Sequence, residues 1–98
     1  MVLLGFNTNV TYNENTYHIQ TEDNGLKNPV IISRLYLKGE IIVTIKNSYA
    51  DSVGEPGYQE KIKRMMMEQH SSMIEELLAG RYTEEGKTEE KEEGKAIQ

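Results

Sequence analysis

The 98 residues (11.2 kDa) hold one domain at most. Their formal charge is −5, and they contain no Cys. The missing Cys excludes a disulfide scaffold, a thiolate metal site and cysteine catalysis, and the bulk charge argues against a nucleic-acid binder, which needs clustered Lys and Arg. Only 37% of the residues are apolar and 28% are charged. That composition predicts a compact part and a non-compact part in one chain. No apolar run reaches the ~18 residues of a membrane span. Met1–Leu4 is too short for the apolar core of a signal peptide. A soluble cytoplasmic protein without membrane contact is expected.

The first stretch alternates with period two. Phe6, Thr8, Val10 and Tyr12 form one row against Asn7, Asn9 and Thr11. Asn13-Glu14-Asn15 reads as a turn, since Asn tolerates positive φ. Alternation resumes with Tyr17, Ile19 and Thr21 opposed to His18, Gln20 and Glu22. Strand, short turn, strand predicts a hairpin. Asp23-Asn24-Gly25 and Asn28-Pro29 mark a connection.

A second hairpin is predicted over Val30–Leu37 and Glu40–Ser48, joined by Lys38-Gly39. Its alternation offers two apolar faces. Ile31, Leu35, Leu37 and Ile42 fall on one; Val30, Ile32, Tyr36, Ile41, Val43 and Ile45 fall on the other. Gly54, Pro56 and Gly57 then break the chain, and the period changes. Ile62, Met65, Met66, Gln69, His70, Met73, Ile74, Leu77 and Leu78 share one stripe of a helix over about Tyr58–Leu78. Gly80 stands where a helix ends on a left-handed residue, and Tyr82 is a candidate final anchor.

From Thr83 onward six acids face three bases, giving −3 and leaving −2 for the rest. Only Ala96 and Ile97 are apolar, too little to offset ~1–2 kcal/mol of backbone entropy per residue. The reading is α+β. A four-stranded antiparallel meander of two hairpins and one C-terminal amphipathic helix make a domain over 1–82. A disordered acidic tail follows over 83–98.

One helix cannot cover two apolar sheet faces. A second copy is the simplest cover, so a homodimer through the sheet or the Met-rich helix is expected. Met65, Met66, Met67 and Met73, with Tyr36 on the sheet, are candidate partner-binding residues, because Met adapts to irregular surfaces. Ordinary core filling is the alternative for the methionines, and three in succession span about 200° of a helix.

Ligand-binding candidates are His18, Gln20 and Glu22 on one strand face and Gln69 with His70 on the helix stripe. On a strand, His18 and Glu22 are separated by about 13 Å of rise, too far to share one metal ion unaided. A solvated outer face is the plainer reading for that trio. His70 reads either as a proton donor or ligand, or as a boundary histidine bonded to the sheet. A P-loop, Gly-x-Ser-x-Gly, His-Glu-x-x-His and a calcium loop are all missing from the sequence. No catalytic residue, metal site or cofactor is expected.

His18-Ile19-Gln20-Thr21-Glu22-Asp23, Lys46-Asn47-Ser48-Tyr49-Ala50-Asp51 and Met67-Glu68-Gln69-His70-Ser71-Ser72-Met73, with Gly80-Arg81-Tyr82, resemble a small uncharacterised bacterial domain. The likeness covers about Asn7 to Tyr82 and implies no activity. The expected function is a non-catalytic interaction or adaptor module that binds a protein partner through its apolar sheet face or Met-rich helix. The alternative is a small-ligand or nucleotide-sensing domain with a pocket between helix and sheet, lined by Tyr17, Tyr36, Gln69 and His70. Nucleic-acid binding through sheet tyrosines is opposed by the net charge.

Overall fold

The computed structural model describes residues 5–82 and 89–92. Strands β1 (Phe6–Tyr12), β2 (Asn15–Asp23), β3 (Val30–Leu37) and β4 (Glu40–Ser48) form an antiparallel meander in chain order. A 3-10 turn (Ala50–Ser52) leads to helix α1 (Tyr58–Leu78), which packs across one face of the sheet. The four-strand meander with one C-terminal helix is the architecture the periodicity predicts. Strand β5 (Glu89–Glu92) lies beside β4 in parallel, which the sequence reading did not anticipate. The remaining tail positions, where disorder was expected, lie outside the described residues.

Both hairpin turns need positive φ at two successive residues, the geometry that matches strand twist. Asn13 (φ 55°) and Glu14 (φ 68°) make the first, Lys38 (φ 53°) and Gly39 the second. The helix ends in a Schellman arrangement. Gly80 adopts φ 82°, its N–H donates to Leu77 O at 3.0 Å, and Arg81 N–H donates to Glu76 O at 3.0 Å.

The assignment of β4 to faces is corrected by a bulge. Tyr36 pairs with Ile41 and Leu35 with Val43, so Ile42 is the extra residue. Beyond it every side chain changes sides relative to a regular hairpin. Val43 and Ile45 therefore join Ile31 and Leu35 beneath the helix, as their burial shows. The outer face keeps Val30, Ile32, Tyr36 and Ile41, interleaved with His18, Gln20, Glu22, Arg34, Thr44 and Lys46. The outer apolar row is thus shorter by Val43 and Ile45 than regular alternation predicts.

Beneath α1 the core divides in two. Tyr17, Ile19, Leu35, Val43, Ile45, Met73 and Leu77 form one cluster, with Tyr82 packed against it. Ile31, Tyr49, Ile62 and Met66 form the other. Among the described residues, every member of both clusters lies between residues 5 and 82.

Candidate functional site

The band between the two apolar clusters is polar. Along β2 and β3, Thr21 and Ser33 separate the clusters, and along α1 Gln69 and His70 do so. The Thr21 and Ser33 hydroxyls lie 2.6 Å apart. His70 Nδ1 is 2.8 Å from Thr21 Oγ1, and His70 Nε2 is 2.9 Å from Thr8 Oγ1. Gln69 Nε2 donates to Ser33 Oγ at 2.9 Å and, at longer range, to the carbonyls of Ile45 (3.3 Å) and Ile31 (3.4 Å). The Phe6 ring stacks obliquely on the imidazole, 5.7 Å between centroids.

Burial lowers the His70 pKa below its ordinary value, with a smaller contribution from His18. The imidazole is therefore neutral near pH 7. Thr21 and His70 form a hydroxyl–imidazole pair, the beginning of a nucleophile and base. Thr21 is fully buried, however, and both imidazole nitrogens are held by threonine hydroxyls. The arrangement fixes the helix on the sheet through hydrogen bonds from His70 and from the Gln69 amide N–H groups across the boundary.

A second buried pairing anchors the β2–β3 connection. Tyr49 donates its hydroxyl proton to Asp23 Oδ1, which also accepts from Gly25 N–H at 3.0 Å. Burial and the adjacent carboxylate push the Tyr49 pKa up, because both disfavour phenolate.

The five ligand candidates do not converge. His18, Gln20 and Glu22 lie on the open face of the sheet. There His18 Nδ1–H donates to Asn9 Oδ1 at 2.9 Å, and Gln20 Nε2 donates to Glu22 Oε2 at 2.6 Å. His18 also meets Tyr36, with 5.9 Å between ring centroids. Gln69 and His70 are on the other side, under the helix. Tyr36 is therefore excluded from any pocket containing His70. Among the described residues, no group of three or more His, Asp or Glu is placed to hold a metal ion.

The methionine set also divides. Met66 and Met73 are fully buried core residues, whereas Met67 is 50% exposed. Met65 is half-buried beside the Ile31 cluster. They form no single partner surface, and Tyr36 stands on the opposite side of the sheet. No helix of the described residues is long and apolar enough to cross a membrane.

A groove of about 420 Å³ lies beside the core, between α1 and β4. Ile45 and Asn47 supply its sheet wall. Met65, Glu68, Gln69, Ser72 and Glu76 supply the helix wall, and Tyr82 closes one end. The Gln69 side chain is oriented by its three acceptors. This leaves Gln69 Oε1 buried without a hydrogen-bond partner. Such an acceptor is costly unless a donor reaches it. Of these residues the sequence reading singled out Met65 and Gln69. Asn47, Ser72 and Tyr82 carried only weak signals: a polar residue at the end of an apolar row, a small residue on a helix shoulder, an aromatic after a helix stop.

Compared with protein-family models, curated proteins and solved structures, the chain matches none.

Proposed function

We propose that this chain is a non-catalytic interaction module that takes up an extended polypeptide segment along the outer side of β4. The observation that carries the reading is the pairing of β4 with a strand from a distant part of the sequence, beside the α1–β4 groove. In strand addition, main-chain hydrogen bonds supply affinity and pockets beside the edge select alternate side chains. Both parts have a counterpart here. The β4 backbone accepts a partner at Val43–Lys46. The groove opens from Ile45, within that stretch, toward the helix.

The groove also favours a chemistry. It contains two carboxylates, Glu68 and Glu76, and no cation among its lining residues. Glu76 shares its charge with Arg81 at 3.1 Å. A segment with an apolar or β-branched backbone stretch and one Lys or Arg directed at this wall suits it. An ammonium or guanidinium N–H would also supply the donor that Gln69 Oε1 lacks.

A second reading rests on the same groove. Its volume falls within the ~300–1,000 Å³ of small-molecule sites, so a small donor-rich ligand would fit without strand pairing.

The test is selection of a displayed random-peptide library on the full chain, followed by amide shift mapping of the enriched peptides. Strand addition expects enriched peptides with a basic residue and shifts at Val43–Asn47, Gln69 and Ser72. Ser72→Trp, which fills the groove from an exposed helix position, should abolish binding while the melting temperature stays within a few degrees. Shifts confined to the groove, with no change along β4, transfer the site to the second reading. Failure to enrich any peptide, or shifts on the His18–Tyr36 face, overturns the proposal. So does a stable dimer in sedimentation with the β4 edge protected, which gives the edge to a second copy.

A further inference from the structure

We infer that the edge of β4 is regulated in cis: residues 89–92 are an internal competitor for the external segment. This rests on the strand-addition reading above. The register sets Glu89 opposite Val43, Glu90 opposite Thr44, Lys91 opposite Ile45 and Glu92 opposite Lys46. The internal strand therefore occupies the stretch of β4 that borders the groove. A basic residue, Lys91, holds the register position opposite Ile45, one of the two sheet residues of the groove wall.

The composition of this strand suits a weak occupant. Glu and Lys are depleted in strands, and the segment has no β-branched or aromatic residue with which to fill a groove. What holds it is backbone pairing and tethering. Only six residues, 83–88, link it to Tyr82, at the end of the groove. A short tether gives an effective concentration on the order of millimolar, so a weak intrinsic affinity still occupies the edge. An external segment that pairs with β4 and also fills the groove has more to gain per residue and displaces it. The tail then sets a threshold: weak extended sequences are refused and matched ones admitted.

The experiment compares three proteins: the full chain, the chain ending at Tyr82, and the full chain carrying Glu90→Pro and Lys91→Pro. Proline removes backbone donors from the internal strand while leaving most of the tail in place. The shortened chain retains both described core clusters, and its melting temperature verifies that it is folded. The probes are the enriched library peptides and a labelled synthetic peptide of residues 83–98. Library peptides should bind both altered proteins at least threefold more tightly than the full chain. The tail peptide, added in trans, should shift Val43–Lys46 amides in the shortened chain and leave them unmoved in the full chain. A ratio below three for both altered proteins overturns the inference and leaves strand addition standing. Gain on truncation without gain from the prolines assigns the effect to tail charge and also overturns it. Absence of binding to all three proteins instead removes the strand-addition reading.

Discussion

The Nδ1 of His70 stands 2.8 Å from the hydroxyl of Thr21, joining helix to sheet inside the core. One assignment of protons satisfies the whole chain of contacts. Gln69 donates to Ser33, Ser33 to Thr21, Thr21 to His70 Nδ1, and His70 Nε2–H to Thr8. The Ser33 and Thr21 hydroxyls then each donate and accept within the band, and Thr8 accepts from the imidazole. His70→Leu keeps the volume but leaves the Thr21 hydroxyl without its acceptor. We expect a loss of about 1–3 kcal/mol in urea unfolding, the cost of an unsatisfied buried polar group. A change within error would show that the band contributes only packing.

The same histidine gives the domain an acid sensitivity. Its folded pKa lies below its unfolded value of about 6.5. Between those two values the unfolded chain binds more protons, so stability rises with pH there. The contribution is complete above about pH 6.5 and is lost as pH falls through the folded value. His70→Gln is also a neutral donor and acceptor but does not titrate. Wild type should therefore lose more stability between pH 7 and pH 5 than His70→Gln does, measured by urea midpoint. Equal losses would assign the acid sensitivity to carboxylates alone.

Adjacent methionines separate core from surface. Met66 is fully buried between Ile31, Tyr49 and Ile62, and Met67 is half exposed. Met66→Ala should cost about 2–5 kcal/mol through lost burial and a cavity. Met67→Ala should stay within about 0.5 kcal/mol of wild type. Thermal melts of the two variants check this directly.

The first hairpin turn offers a gain. Glu14 holds φ 68°, a region that an L side chain adopts at a cost and glycine adopts freely. Glu14→Gly converts the turn to Asn-Gly, the sequence this turn geometry prefers. We expect stabilisation of roughly 0.5–1 kcal/mol, read as a higher melting temperature. A decrease would mean that Glu14 makes a compensating contact in the folded state.

Local periodicity made most of the fold legible. Phe6–Tyr12 and Tyr58–Leu78 follow from alternation and from the apolar stripe, and Gly80 marks the helix end. The polar band was half legible. Gln69 and His70 stand out on an apolar stripe, and Thr8, Thr21 and Ser33 interrupt the apolar rows that face them. Only cross-strand register brings those five together, because Thr21 and His70 are 49 positions apart. The groove was less legible still, since Asn47, Ser72 and Tyr82 belong to three different parts of the chain. The pairing of residues 89–92 left no trace in propensity, because a strand of Glu and Lys depends on a neighbour's backbone rather than on its own side chains.

The face assignment of β4 failed for a reason that itself can be tested. Reading outward from Lys38-Gly39, a regular hairpin sets Leu35 against Ile42 and directs Val43 away from the helix. The structure sets Leu35 against Val43, with Ile42 unpaired between two registered pairs. Deleting one residue from a strand ordinarily turns every later side chain to the wrong face. Here, removing Ile42 leaves Tyr36 opposite Ile41 and Leu35 opposite Val43, so Val43 and Ile45 still face α1. The loss is the partial burial of Ile42 against the first cluster and the extra twist of the bulge. That amounts to about 1–2 kcal/mol, less than the full burial of an isoleucine side chain would suggest at its upper end. Deleting Ile32 instead reverses half of β3 with nothing to absorb the shift, and that chain should not fold. Circular dichroism melts of the two deletions decide the matter: a cooperative transition for the first and none for the second is the expected pair.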